Sequence, residues 1–515
     1  MLSSRTIKVY NSSLTETLKP TVELKTELSS LSSQLAEALK QNKELRSELI
    51  RTQTELLKTR EELKLVNQQN ALLDSRLKEL EKQLNMNSSN SGLPPSIAKV
   101  DPRKTPKKTK SLRKKSDKKV GGQPGHKGET LEFSQTPDKT VILDVDTCTN
   151  CGKSLDLEEV DKTIKRQVFE MPEPKVEVTE YQANVKICTC GHRNVAPFPE
   201  GVTNYVQYGS KLTTFATYLL HYQMIPFKRI MELFEDLFSF QISQGTLVTM
   251  SRRVSESLKK TENFIKQQLI GSTAVHFDET GCYVGKERHW LHTASTDEYT
   301  HQAVHVRRGS EAMRDIGILP FFKGTAIHDS WSSYFTFDDC NHSLCNAHHL
   351  RELEALKELY KQPWVSELSR VLLDAYHFSL DNEYPLSEQK CQEFIRRFRE
   401  CLAEGHRLNP PLPIPPGKKK AKKTAAQRFL ARMEKRETEI FRFLFDEDVP
   451  FDNNCAERDI RMTKVKQKVS GTFRTSVGAD DFARIRSVIS TLKKQNKGVL
   501  SGLTDAFIRK VIPVA

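Results

Sequence analysis

Three acidic side chains, far apart along the chain, sit in segments suited to hold them still. Asp278 ends the apolar run of STAVHFDETGCYV and is followed by Glu279. Asp329 ends a second short apolar run, GTAIHDSWSSYF. Both patterns predict short strands, and a strand is rigid enough to fix a carboxylate in place. Carboxylate oxygens suit hard cations such as Mg2+ or Mn2+, which keep several waters. Two such ions about 4 Å apart activate a nucleophile on one side of a phosphate and stabilise the leaving oxygen on the other. Phosphodiester chemistry of this kind normally needs a third carboxylate. The candidate is Glu457 in FDNNCAERDIR, a run that predicts a helix after an Asn cap. On that helix Glu457 and Arg461 share a face, as do Glu457 and Asn453 or Asn454. Each residue alone has a plain structural explanation: a turn or cap for either Asp, a surface ion pair for Glu457 with Arg461. The combination is what points to a metal centre.

The neighbours of the acidic residues carry further chemistry. Glu279 follows Asp278 directly, so on a strand it faces the other way. Cys345 and His348 in CNAHHLRE have C-x-x-H spacing, open to a metal pair, a phosphate-orienting role or simple packing. Arg458 and Arg461 match phosphate geometry with their planar forks. Lys464, Lys466, Lys468 and Arg474 extend that basic series. Trp331 and Tyr334 are candidates to stack on an unpaired base, with core packing as the ordinary alternative.

A second constellation lies upstream. Cys148-Thr-Asn-Cys151-Gly and Cys188-Thr-Cys190-Gly-His192 flank the β-patterned run KRQVFEMPEPKVEVTEYQANVKI. Two such knuckles predict one tetrahedral Zn2+ site with Cys148, Cys151, Cys188 and Cys190 as ligands. The second knuckle is a residue tighter than C-x-x-C, so His192 is an alternative to Cys190. Four protein ligands leave no open position, which makes the role structural.

These sites need positioning elements. From Leu28 to Leu84, steps of three and four residues land mostly on Leu, with no Gly or Pro between Thr21 and Met86. That heptad pattern predicts a coiled coil about 85 Å long. Asn42 and Asn70 fall at one heptad position, where Asn fixes register in a parallel pair, so a homodimer is expected. After the breaker NSSNSGLPPS comes VDPRKTPKKTKSLRKKSDKKV, which includes Lys107, Lys108, Arg113 and Lys114. Such a run cannot bury a core and reads as an arm for phosphates. Residues 209–260 predict three helices, with Ser243 capping the last, which carries Arg252 and Arg253. The arrangement resembles a helix-turn-helix DNA reader.

Composition bounds the possibilities. The 515 residues carry a formal charge of +14, and 37% are hydrophobic. The charge favours a polyanionic partner, nucleic acid first. No run approaches the ~20 apolar residues of a membrane span. MLSSRTIKVYNSSLTET lacks the apolar region of a secretory signal, so a cytoplasmic, nucleoid-associated protein with reduced cysteines is expected.

The motifs HFDETG, HDSWSSYF, CNAHHLRELEAL and DNNCAERDIR resemble those of the insertion-sequence-66 family of DDE transposases. The likeness extends to the Leu heptads, the basic stretch ending in GGQPGHKG, the cysteine knuckles, and SVISTLKKQNKGVLSGLTDAF near the end. It implies a multidomain α+β protein with an RNase H-like core in which Asp278, Asp329 and Glu457 form a Mg2+-binding (or Mn2+-binding) catalytic triad. It also implies terminal-repeat and target DNA as partners, with accessory proteins of the element possible, and an α-helical insertion between the second Asp and the Glu. The expected layout is a coiled coil over 1–90, a basic arm over 91–135 and a zinc unit over 136–200. A helical DNA-binding region follows over 201–270. The core occupies 271–355 and 446–515, separated by the insertion over 356–445. A non-catalytic zinc and coiled-coil DNA-binding regulator would share most of these parts. It would have no need of the acidic trio.

Overall fold

The computed structural model describes residues 21–85, 125, 130–414 and 421–514. The architecture is mixed α/β, with fourteen α-helices and seven strands among the described residues. None of these helices is long and apolar enough to cross a membrane. The chain packs as two units. One takes the N-terminal helix with Ala355–Val365 and Cys401–Arg432; the other takes Asn87–Glu354, Ser366–Glu400 and Met433–Ala515.

In the first unit, α1 (Thr21–Asn85) is a single unbroken helix. Its described heptad leucines stand in solvent, from Leu80 at 51% exposure to Leu56 at 70%. A stripe of this kind is the seam that a second helix covers in a coiled coil. The basic arm, with Lys107, Lys108, Arg113 and Lys114, lies outside the described residues. In the same unit, Thr424 and Gln427 form a reciprocal capping box, Gln427 N donating to Thr424 Oγ1 at 3.1 Å and Thr424 N to Gln427 Oε1 at 2.8 Å. Beyond it, Phe429 packs against Trp364, ring centres 6.4 Å apart.

In the second unit, the stretch expected as a β-rich zinc domain forms little regular structure. β1 (Val185–Ile187) and β2 (Arg193–Val195) pair antiparallel, and a single antiparallel bridge joins Thr147 to Ser154. Its apolar side chains, Leu157, Val168 and Val178 among them, are exposed. So short a segment has too few apolar residues to bury a core of its own. Four helices follow: α2 (Ser210–His221), α3 (Phe227–Phe238), α4 (Gln244–Ser257) and α5 (Lys259–Ile270). Ser243 caps α4 as its sequence predicts, accepting Thr246 N–H at 3.1 Å. Ile230, Phe234, Leu247 and Met250 bury a shared core with Ala216 and Leu219.

A five-stranded sheet comes next. β3 (Ala274–Val284), β4 (Glu287–Ser295) and β5 (Thr300–His305) form an antiparallel meander. After α6 (Ser310–Ile316), β6 (Thr325–His328) and β7 (Asn341–Leu344) add parallel to β3 on its other side, giving the order β5-β4-β3-β6-β7. α7 (Asn346–Tyr360), α8 (Pro363–Asp381), α9 (Glu388–Leu408), α10 (Ala425–Lys435) and α11 (Glu437–Phe441) fill the stretch between the second Asp and the Glu. α12 (Asn454–Ser470), α13 (Ser476–Lys494) and α14 (Val499–Arg509) close the chain.

α13 explains how the meander is held. Ile485, Val488, Ile489 and Leu492 recur at helical spacing and bury against Val254, Leu258, Ile265 and Leu269. Its hydroxyls also cover the exposed edge of the sheet. Ser487 Oγ accepts Gln302 N–H at 2.7 Å, and Thr491 Oγ1 accepts Thr300 N–H at 3.0 Å. An open strand edge is a template for mispairing, and this helix occupies it.

Candidate active site

The sheet register sets the first two carboxylates side by side. β3 and β6 run parallel, with His276 level with Ile327. Asp278 and Asp329 each lie two residues beyond that pair, Asp278 within β3 and Asp329 where the chain leaves β6, and their charges repel each other. Asp278 remains in β3, its Oδ1 accepting Glu279 N–H at 2.8 Å. Asp329 lies just past the end of β6, its Oδ1 accepting Trp331 N–H at 2.9 Å.

Glu457 approaches from α12, near enough for its charge to act on Asp278, while the carboxylate oxygens of Asp278, Asp329 and Glu457 do not all lie within 4.8 Å of one another. The helix is fixed by Asn453, whose side chain does not cap it. Instead Asn453 Oδ1 accepts from His276 Nδ1 at 2.8 Å, its Nδ2 donates to Phe277 O at 2.7 Å, and its backbone N–H points to Cys345 Sγ at 3.1 Å. The start of α12 is thereby pinned to β3 immediately before Asp278. Asp452 takes over the cap, accepting Asn454 N–H at 3.0 Å. Glu457 then meets Arg351 at 3.1 Å and His348 at 3.7 Å, both from α7. The expected partner Arg461 is not among these contacts.

The charges feel one another. Burial first, then the negative charges of Glu279, Glu457 and Asp329, pushes the Asp278 carboxyl well above its usual range. Asp329 and Glu457 keep roughly a third and a quarter of their side-chain surface open. A partly open cluster of repelling carboxylates fits a hard divalent cation, which takes oxygen ligands and relieves the repulsion.

Glu279 faces away from Asp278 along the strand and is buried at 2% side-chain exposure. It forms an ion pair with Arg308 at 2.5 Å and accepts from the Tyr334 hydroxyl. Burial and then the Asp329 charge push it up to about 7, with Arg308 and Tyr334 pulling the other way. Arg308 also stands 4.0 Å from Asp329. Tyr334 is therefore a buried positioning group rather than a free stacking surface. No sequence spacing pairs Glu279 with residues 29 and 55 positions away. The second His of CNAHHLRE, His349, links to Ser330 beside Asp329 at 3.2 Å.

Cys345, His348 and Glu457 bring their ligand atoms within 4.8 Å of one another. Burial, ahead of the charges of Glu457 and Asp452, pushes the Cys345 thiol up to about 12. The thiolate is the ligating form, so this trio is a poorer host for a hard cation than the carboxylates are.

The cysteine knuckles have the right local form. Gly152 and Gly191 take positive φ of 73° and 84°, and Gly152 N–H returns to Cys148 O at 2.9 Å while Gly191 N–H returns to Cys188 O at 2.8 Å. No three of Cys148, Cys151, Cys188, Cys190 and His192 lie within 4.8 Å of one another. Each knuckle has the tight, Gly-ended turn that half of a zinc site uses.

The basic candidates divide. Arg458 and Arg461 are exposed on α12. Arg252 and Arg253 are exposed on α4, Arg252 lying 3.9 Å from Asp481 and Arg253 over the Phe507 ring at 5.5 Å. Two members of the expected basic track are turned inward. Lys464 donates to Gly281 O at 2.7 Å, and Lys466 lies over Phe473 at 4.6 Å. Lys464 is spent on the sheet backbone and Lys466 on an aromatic ring, so packing claims both.

A sequence model described as the Transposase IS66 family matches residues 205–481, more than half of the chain. A second, described as a family of unknown function (DUF6444), matches residues 17–132. No curated protein matches the chain.

Proposed function

Because the chain belongs to the transposase IS66 family, we propose that it cuts DNA at the ends of an insertion element and joins the freed strand to target DNA, using Asp278, Asp329 and Glu457 on an RNase H-like core. The observation that supports this reading is that Asp278, in β3, and Asp329, just past the end of the neighbouring parallel strand β6, repel each other, and that Asp278 also feels the charge of Glu457. A sheet of order β5-β4-β3-β6-β7, with its first three strands antiparallel, supports the core assignment.

Asp278, Asp329 and Glu457 would hold divalent cations, Mg2+ or Mn2+. When bound, a cation pair supplies the Lewis-acid charge that an in-line phosphoryl displacement needs. The chain's own residues do the positioning. Asn453 sets Glu457 against β3, Arg351 and His348 orient its carboxylate, and the Glu279–Arg308 pair steadies the approach to Asp329. Water first cleaves the strand, and the freed 3′-hydroxyl then displaces the 3′-oxygen of the target strand. Phosphorus passes between oxygens throughout, so no covalent protein–DNA bond is required.

The remaining parts serve this chemistry. The leucine seam of α1 pairs two copies of the chain, the arm and α4 grip DNA, and the knuckles of 148–151 and 188–190 close on Zn2+. The test of the function is an assay with the full-length protein, Mg2+ and a duplex carrying the element's end. Cleavage followed by joined products is expected. Cleavage without joining leaves a nuclease, and binding without either leaves a regulator.

A further inference from the structure

We propose that the open face of the β3–β4 hairpin is a docking strip for the phosphodiester backbone of DNA, with Arg288 as its outer cation. The inference rests on the reading of the carboxylate site given above, which the strip leads into.

The hairpin extends past the end of β6, beyond the level of Asp278. One of its faces is covered: Cys282 and Leu291 are buried with Ile460, Phe473 and Phe482. Glu279, Gly281 and Trp290 belong to the other face, since Gly281 pairs with Trp290 in register. There, guanidiniums and indoles form a row. Arg288 lies 4.4 Å from the Trp290 ring centre, Arg308 lies 5.0 Å from the same ring, and Arg308 lies 4.0 Å from Trp331. The row ends at Asp329.

A guanidinium resting on an indole is held in one orientation while its in-plane donors stay available. Arg308 spends its donors on Glu279. Arg288 is exposed, and among the described residues no carboxylate pairs with it. Gly281 makes room for it: a Cβ there would stand 3.2 Å from Arg288 Nε and Nη2. The missing side chain lets Arg288 lie across the strand on the face shared with Glu279, opposite to Asp278. Lys286, exposed at the hairpin tip, adds a second cation. A fork-shaped donor beside a point charge, leading into a site for phosphate chemistry, is complementary to a DNA backbone.

The test measures binding of a mixed-sequence DNA duplex to the full-length protein across a salt series, by fluorescence anisotropy with Ca2+ in place of Mg2+. Each phosphate contact contributes a slope of about 0.9 in log Kd against log salt. R288Q lowers the slope by about 0.9, R288Q/K286Q lowers it by about 1.8, and R288K restores it. A wild-type protein that binds DNA with the same slope as R288Q/K286Q overturns the strip and leaves the carboxylate reading standing. A wild-type protein that binds no DNA overturns both. Both substituted side chains are exposed, so an unchanged thermal melt shows that the fold is intact.

Discussion

Asp329→Asn lowers strand cleavage and strand joining by about a thousandfold or more, while DNA binding and the fold survive. The substitution keeps the shape of the side chain and the Oδ1 acceptor for Trp331 N–H, so the turn after β6 is undisturbed. What it removes is one negative charge from a site that must hold cations against a phosphate. Losing about 4 kcal/mol of transition-state stabilisation is about a thousandfold in rate. DNA affinity comes from contacts elsewhere, on exposed arginines and the basic arm, so it changes little. The measurement is cleavage and joining in Mg2+ beside an anisotropy titration and a melting curve. Near-normal transposition by this variant would remove Asp329 from the chemistry.

Lys494→Met costs about 3–5 kcal/mol of stability, the usual effect of breaking one side of a buried ion pair. Lys494, at the end of α13, forms an ion pair with Asp459 at 2.8 Å, and both side chains are more than four-fifths buried. The ammonium also donates to Ser295 Oγ and Thr296 O, each at 2.6 Å. Asp459 in turn accepts from Ser295 at 2.5 Å and Thr300 at 2.8 Å. Removing the ammonium strands a carboxylate between α12 and the turn joining β4 to β5. Chemical denaturation of the second unit's transition reads the loss. The double variant Lys494→Met with Asp459→Asn should recover a large part of it, because no uncompensated charge remains. Equal stability of wild type and single variant would show that the pair holds nothing together.

How far the sequence reveals this depends on whether the signal is local. The strand that carries Asp278 and the one that stops just before Asp329 follow from their apolar runs, though β3 continues past Asp278 to Val284, and α1 follows from its heptads, because spacing along the chain is all that those patterns require. The Ser243 cap is legible for the same reason. The setting of Glu457 is not. An Asn before a helix reads as a cap, yet Asn453 is turned to His276 and Phe277, residues 177 and 176 positions away. Helical spacing offers Arg461 to Glu457, but α7 brings Arg351. Period two turns Glu279 away from Asp278, and nothing in the pattern says that Arg308 and Tyr334 await it on that side. Lys464 and Lys466 look like surface charge until Gly281 and Phe473, distant in the chain, are seen to lie against them. The run of 165–187 alternates like strand, but alternation forms a sheet only where there is apolar surface to bury it against.

The central claim is that Asp278, Asp329 and Glu457 jointly hold divalent ions. Anomalous diffraction from crystals of the full-length protein grown with Mn2+ tests it most directly. The account predicts anomalous peaks lying between these three carboxylates. A peak held by Cys345, His348 and Glu457, with Asp278 and Asp329 out of reach, would contradict it.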